Sequence, residues 1–157
     1  MQSLENILSD LKVTKILGSK NISVKNILYD SKKVREYSLF VAIKGTSTDG
    51  HLYIEDAIRN KANSIICEVL PTQIYRDVTY IQVSDTQKSL AIIASNFYKS
   101  PSKKIKLVGV TGTNGKTSTV FFLKQLFEKL GNKVGMISTI HVEINNQIFD
   151  SSHTTHC

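Results

Sequence analysis

Apolar positions along the first hundred residues switch repeatedly between two periods. Leu4, Ile7, Leu8 and Leu11 recur at helical spacing, which predicts a short amphipathic helix over residues 3–11. The runs VKNILYD (24–30) and SLFVAIKG (38–45) read as strands, and the second is so continuously apolar that burial on both faces is expected. Helical spacing returns with Leu52, Ile54, Ala57 and Ile58 in HLYIEDAIRNKA (51–62), and NSIICE (63–68) and TYIQV (79–83) read as two further buried strands. S-D-T-Q at 84–87 has the form of a capping box, with Ser84 and Gln87 as partners, opening a helix over 86–100 that Pro101 stops. Strands alternating with helices predict a small α/β domain over residues 1–100.

SPSKK (100–104) reads as a linker into a second unit. A strand, IKLVGV (105–110), leads into a Gly-rich turn, a helix over 116–130 stopped by Gly131, and a strand, KVGMIST (133–139). That order is one βαβ unit, the opening of a parallel sheet. A hairpin pattern follows, IHVEI and QIF flanking Asn145 and Asn146 at the turn. One βαβ unit and a hairpin cannot cover both faces of a parallel sheet, so residues 101–157 are expected to be the incomplete start of a longer design.

Composition narrows the class of protein. The chain has 157 residues, 41% of them hydrophobic, enough to bury a core, and its apolar runs are too short to cross a bilayer. No membrane partner is expected, and the N-terminus lacks the order of a secretory signal, so the cytoplasm is the expected location. Two cysteines, Cys67 in an apolar run and Cys157 at the end, make no disulfide framework. A net charge of +7 raises nucleic acid as a partner. The lysines are scattered without an aromatic-interleaved stripe, so no nucleic acid is expected and the charge reads as a solvated basic surface.

The chemistry concentrates in TGTNGKTS (111–118), between a predicted strand and a predicted helix. Gly112 and Gly115 let backbone N–H groups approach phosphate oxygens, with Thr113 and Asn114 between them, and the helix N-terminus at Lys116 favours negative charge. In a loop of this kind Lys116 bridges the terminal phosphates of a nucleotide, the Thr117 hydroxyl binds Mg²⁺, and Ser118 completes the first turn. The strict pattern places a glycine where this chain has Val110.

The loop resembles that of the Mur ligase family, T-G-T-N-G-K-T, which shares the off-pattern first position. YDSKKVREYSLFVAIKGTSTDGHLYIEDAI (29–58) is similar to the family's N-terminal D-S-R…G-D-L-F-V-A…G…D-G-H…A pattern, shared by the branches adding the third residue and the terminal dipeptide of the peptidoglycan stem; the HTT at 153–155 favours the former, with the dipeptide-adding branch as the alternative. The resemblance implies an α/β fold in which a small N-terminal α/β substrate domain precedes the truncated start of a P-loop parallel-sheet ATPase domain. It implies an ATP-dependent amide ligase working through an acyl phosphate, with ATP and Mg²⁺, and Lys116 and Thr117 as catalytic residues. UDP-MurNAc-L-Ala-D-Glu and an amino acid, diaminopimelate or lysine, are the implied substrates, and a monomer the implied state. By the same resemblance Tyr29 and Ser31 contact the uridine end, Thr46, Ser47 and Thr48 form the next binding loop, and His153, Thr154 and Thr155 meet the muramoyl-peptide.

The chain departs from the family in three places. TTHC stands where TTPD is common, and Tyr37 and Lys61 stand where glycine is usual, which would strain a left-handed backbone. Beyond Cys157 the resemblance calls for a Mg²⁺-binding glutamate, a modified lysine and a C-terminal domain, so this chain is expected to be a front fragment that cannot complete ligation alone. His153, His156 and Cys157 make a metal site thinkable, but a free chain end lacks the second shell a site needs. His51 and His141 read as structural or exposed. Two rivals remain: a non-catalytic module binding the UDP-sugar-peptide or ATP, and a small P-loop kinase or GTPase. The latter needs an acid on a later apolar strand, and none is expected after Thr117, since Glu143 lies in the hairpin pattern and Asp150 near the end, which demotes that rival.

Overall fold

The computed structural model describes residues 1–45, 48–145 and 147–150, with the backbone alone for Asp150. They form two compact units, Met1–Ile105 and Lys106–Cys157.

The strands of the first unit are β1 (Gln2–Ser3), β2 (Lys15–Leu17), β3 (Ser23–Val24), β4 (Asn26–Leu28), β5 (Ser38–Val41), β6 (Ala62–Cys67) and β7 (Thr79–Gln82). Its helices are α1 (Leu4–Ile7), α2 (Ile54–Arg59) and α3 (Thr86–Phe97). Five strands make the main sheet in the order β2-β7-β6-β5-β4, parallel from β4 to β7 with β2 antiparallel at one edge. β1 and β3 pair separately and antiparallel.

Alternation along the central strands divides the core in two. Leu39, Val41, Ile66 and Ile81 join Leu4, Ile7 and Ile93 from α1 and α3. Their neighbours Phe40, Ala42, Ile65, Cys67 and Tyr80 point the other way and join Ile54 and Ala57 of α2. Since each fully buried Leu, Ile or Phe contributes about 1.5–3 kcal/mol, this two-sided packing is the main source of stability. It bears out the double burial expected of SLFVAIKG for residues 38–42, all buried, whereas the strand ends at Val41, Ile43 is half-buried and Lys44 and Gly45 are exposed.

Several predicted elements differ in length or in detail. The first helix covers only Leu4–Ile7, because a turn at 8–10 redirects the chain. A 3₁₀ turn, Gly50–Tyr53, precedes α2, and Leu52 is 77% exposed rather than part of the apolar face. The cap of α3 is Asp85, whose carboxylate accepts from Lys88 N–H at 2.9 Å, and not Ser84; a charged acceptor one residue nearer the helix wins the position. The helix stops at Phe97 because Lys99 and Ser100 turn left-handed, at φ 59° and 50°, ahead of Pro101.

The second unit comprises α4 (Lys116–Lys129) and an antiparallel sheet of β8 (Gly135–Ile137), β9 (His141–Ile144) and β10 (Gln147–Asp150). Residues 105–110 are not a strand: among the described residues none pairs with them, and Ile105, Leu107 and Val108 are exposed. The predicted parallel βαβ pairing is therefore not formed here, because a strand is defined by its neighbour and apolar sequence alone cannot supply one. The hairpin is formed, with Ile144 opposite Gln147 and Asn145 at φ 50°. Gly131, at φ 82°, ends α4 in a Schellman turn: its N–H donates to Glu128 O at 2.9 Å and that of Asn132 to Phe127 O at 3.0 Å.

Candidate functional site

The phosphate-loop residues lie at the start of α4. Gly112 has φ 152° and Gly115 φ 75°, backbone that glycine enters without strain. A Cβ on Gly115 would meet nothing within 4 Å, so conformation and not crowding selects glycine there. Gly112, Thr113, Asn114, Gly115, Lys116 and Ser118 are exposed and Thr117 is half-buried.

Charge at this point favours an anion. The first N–H groups of an α-helix have no partner within it, and α4, like the short α1 and α2, has no side-chain cap, whereas Asp85 caps α3. The Lys116 ammonium lies over the loop, donating to Gly112 O at 2.5 Å and Thr113 O at 3.3 Å. Uncapped N–H groups, a lysine and glycines in left-handed backbone together fit a nucleotide's phosphates. Thr117 would offer one hydroxyl oxygen to a Mg²⁺ ion arriving with the nucleotide, whose remaining ligands would come from phosphate and water. Among the described residues no group of three or more His, Cys, Asp or Glu could hold a metal. A cavity of about 280 Å³ adjoins the first turn, walled by Thr117, Ser118, Phe121, Phe122, Met136, Ile140 and His141.

Glu143 is already engaged. Its carboxylate pairs at 3.0 Å with Lys124 of α4, which also bonds Glu128 at 2.9 Å, and His141 lies 3.8 Å from it. Lys124 is only 7% exposed, and its hydrogen bonds to Glu128 and Glu143 raise its pKa. Glu143 thus lies on a strand after all, β9, but it is committed to holding α4 there, and Asp150, the other acid the kinase or GTPase reading could use, ends β10 with its side chain outside the described residues.

Of the substrate residues expected in the first unit, Tyr29, Ser31 and Thr48 are described, and they follow the C-terminal ends of its parallel strands, where open α/β sheets receive ligands. Tyr29 and Ser31 follow β4, and Thr48 follows the adjacent parallel β5. Tyr29 is 51% exposed; Ser31 is 8% exposed and its carbonyl accepts from Asn60 Nδ2 at 3.0 Å. Thr48 is exposed, and its carbonyl accepts from Gly45 N–H at 3.0 Å. Thr46, Ser47, His153, Thr154 and Thr155 lie outside the described residues, as do His156 and Cys157.

The same edge carries a polar cluster that sequence reasoning passed over. His51 Nδ1 lies 2.6 Å from Asp49 Oδ1, and its Nε2 accepts from Glu68 N–H at 2.8 Å. Glu68 Oε1 accepts from Thr86 N–H at 2.9 Å and Thr86 Oγ1 at 3.0 Å, and Glu68 O accepts from Gln82 Nε2 at 2.9 Å. The Asp49 and His51 spacing was visible in D-G-H; Glu68, just past the end of β6, and Thr86 of α3, which bonds it, were not, being distant in sequence.

Comparison with known proteins adds the following. Residues 23–98 match the Mur ligase family, catalytic domain, and residues 110–156 the Mur ligase middle domain. The chain is 46% identical to the UDP-N-acetylmuramoyl-L-alanyl-D-glutamate–2,6-diaminopimelate ligase of Clostridium botulinum, covering 98% of this chain and 32% of the relative. It is 44% identical to the ligase of the same name from Cytophaga hutchinsonii, covering 97% of this chain and 32% of the relative. It thus spans about a third of the length of the curated relatives it matches. Among solved structures, MurF ligase from Thermotoga maritima in complex with ADP matches at 33% identity and TM-score 0.52, over 68% of this chain and 24% of that one. A structure of a UDP-N-acetylmuramoyl-L-alanyl-D-glutamate–2,6-diaminopimelate ligase matches at TM-score 0.69 and 19% identity, over 94% of this chain and 29% of that one, a likeness of fold.

Proposed function

Because the chain belongs to the Mur ligase family, matching its catalytic and middle domains in succession, we propose that it is part of an ATP-dependent ligase of peptidoglycan precursor synthesis. The reaction joins 2,6-diaminopimelate, the amino acid its relatives' names carry, to UDP-MurNAc-L-Ala-D-Glu. Residues 1–100 are read as the UDP-MurNAc-peptide domain and 101–157 as the opening of the ATP-binding domain, acting as a cytoplasmic monomer without nucleic acid or membrane. Among the described residues no helix is long and apolar enough to cross a membrane.

The observation that carries the proposal is the glycine-lysine loop at the uncapped start of α4. Mg·ATP, when bound, supplies the phosphoryl group that activates the D-glutamyl carboxylate. The chain's own part is positioning and charge. Loop and helix N–H groups receive phosphate oxygens, Lys116 exchanges its loop carbonyls for phosphate, and the Thr117 hydroxyl holds Mg²⁺. In the first unit Tyr29, Ser31 and the segment of Thr46, Ser47 and Thr48 receive the uridine end. His153, Thr154 and Thr155 serve the muramoyl-peptide.

Calorimetric titration of the 157-residue chain tests this. Mg·ATP should bind and be lost in Lys116→Ala, and UDP-MurNAc-L-Ala-D-Glu should bind and be weakened in Ser31→Ala. Each loss should exceed about tenfold, the effect of removing a charged or buried hydrogen-bond partner. A folded wild-type chain that binds neither ligand would sink the proposal.

A further inference from the structure

Ser31 is held from outside its own turn by the side chain of Asn60. The serine opens a 3₁₀ turn, Ser31–Lys33, which Asp30 caps by accepting from Lys32 N–H at 3.0 Å. Its carbonyl closes the turn by accepting from Val34 N–H at 3.3 Å and takes a second, shorter bond from Asn60 Nδ2, at 3.0 Å. Two donors fill the two lone pairs of that oxygen. The Ser31 hydroxyl has no partner among the described residues, although the residue is only 8% exposed. A hydroxyl can both donate and accept, so it is fitted to meet a polar group brought by a ligand.

The donor sits on a firm mount. Asn60 ends α2, whose Ile54 and Ala57 are buried in the same core cluster as Val34, the residue that follows the turn. The Asn60 backbone N–H stays on Asp56 O at 3.0 Å, and the left-handed Lys61 beyond it closes on Ile58 O at 2.8 Å ahead of β6. Asparagine suits this place because its amide donates at short reach. Aspartate has the same shape but would set a carboxylate against the Ser31 carbonyl.

We propose that Asn60 is a positioning residue for ligand binding, holding the Ser31 carbonyl from α2 so that the Ser31 hydroxyl is presented to the uridine end of the UDP-linked ligand. Asn60 acts through Ser31 and does not itself touch the ligand. This rests on the reading above that Ser31 receives that end.

The division of labour within the turn explains why one bond matters to binding more than to folding. Val34 anchors the far end in the core, at 7% exposure, and Asp30 caps the near end. Those two keep the turn in being. Between them, and among the described residues, the Asn60 amide supplies the hydrogen bond that ties Ser31 to a neighbouring element. Hydroxyl hydrogen bonds span about 2.5–3.0 Å, so a shift of about 0.5 Å at Ser31 is enough to lose one. Removing the amide therefore loosens the hydroxyl while leaving the core around α2 and β5 intact.

The test is a double-mutant cycle read by calorimetry with UDP-MurNAc-L-Ala-D-Glu on the 157-residue chain: wild type, Asn60→Ala, Ser31→Ala and the double variant. Asn60→Ala should weaken binding about fivefold. In the Ser31→Ala background the same change should cost less than about twofold, because the hydroxyl it serves is already gone. A side chain that only stabilised the fold would cost the same in both backgrounds. Asn60→Asp, equal in shape but without the donor, should repeat the pattern, and it takes the place of Asn60→Ala if that variant does not fold. Wild-type affinity in the Asn60 variants, or equal losses in the two backgrounds, overturns the inference and leaves the proposed function standing. A folded wild type that binds no ligand overturns the proposed function and this inference with it, so the wild type alone tells the two failures apart.

Discussion

Tyr37 and Lys61 have left-handed backbones, at φ 62° and 71°, a conformation that disfavours any side chain with a Cβ. The glycine usual in the family at both positions makes this legible in the sequence. What holds two substituted positions in place was not legible. Lys61 follows the end of α2 with its N–H on Ile58 O at 2.8 Å, and its ammonium reaches Glu36 at 2.7 Å. Tyr37 accepts Lys25 N–H at 2.7 Å, and the Lys25 ammonium lies 4.9 Å from its ring centre. Lys61→Gly and Lys61→Ala both remove the exposed ion pair, but only glycine relieves the backbone. The urea midpoint of Lys61→Gly should therefore exceed that of Lys61→Ala; the reverse order would show that the left-handed turn carries no strain. Gly50 is constrained for the opposite reason, crowding without positive φ. Gly50→Ala should lower stability by about 2–3 kcal/mol in urea unfolding, because the atoms it meets are backbone and cannot turn aside.

Elements were readable where one face or both are buried within the first unit. β5, β6 and β7 announced themselves because every residue of β5 and most of β6 and β7 face a core. β2 was missed: it is an edge strand of three residues, with Lys15 exposed, and its identity comes from pairing antiparallel with β7. Residues 105–110 failed in the other direction, apolar enough for a strand but without a neighbour among the described residues. Caps show how small the difference between near alternatives is. Ser84 with Gln87 satisfies the capping-box pattern, yet Asp85 adds a full negative charge at the start of α3. Its carboxyl is held below the ordinary aspartate value of 3.8, first by the Lys88 backbone hydrogen bond. A depressed folded pKa gives stability that is present above the unfolded value and lost as pH falls through the folded one. The urea midpoint should accordingly be level above the ordinary aspartate value and fall in more acid solution. Asp85→Asn, which keeps a cap but no charge, should flatten part of that fall; an unchanged acid slope would remove Asp85 from the account.

Across the whole chain, burial is unevenly shared. The first unit holds both core clusters, whereas Met136 and Lys124 are the buried residues among those described in the second. Phe122, Leu126, Ile140 and Ile148 are each more than half exposed. Local stability follows buried apolar contact, so hydrogen exchange should separate the units. Amides of Leu39, Phe40, Ile65 and Ile66 should exchange only through full unfolding of the first unit, and those of α4 and β8–β10 through much cheaper local openings. The proposed ligands then discriminate further, because a ligand slows exchange in the unit whose folded form it binds. At free ligand about one hundred times its dissociation constant the effect is about 2.7 kcal/mol, or about a hundredfold in rate. Mg·ATP should give that slowing in the first turns of α4 and leave β5–β7 unchanged, while UDP-MurNAc-L-Ala-D-Glu should slow Gly45, Gly50 and Glu68 in the first unit. Slowing of both units by either ligand alone would mean that they fold as one cooperative body. Slowing by Mg·ATP confined to the first unit would move the nucleotide away from Lys116.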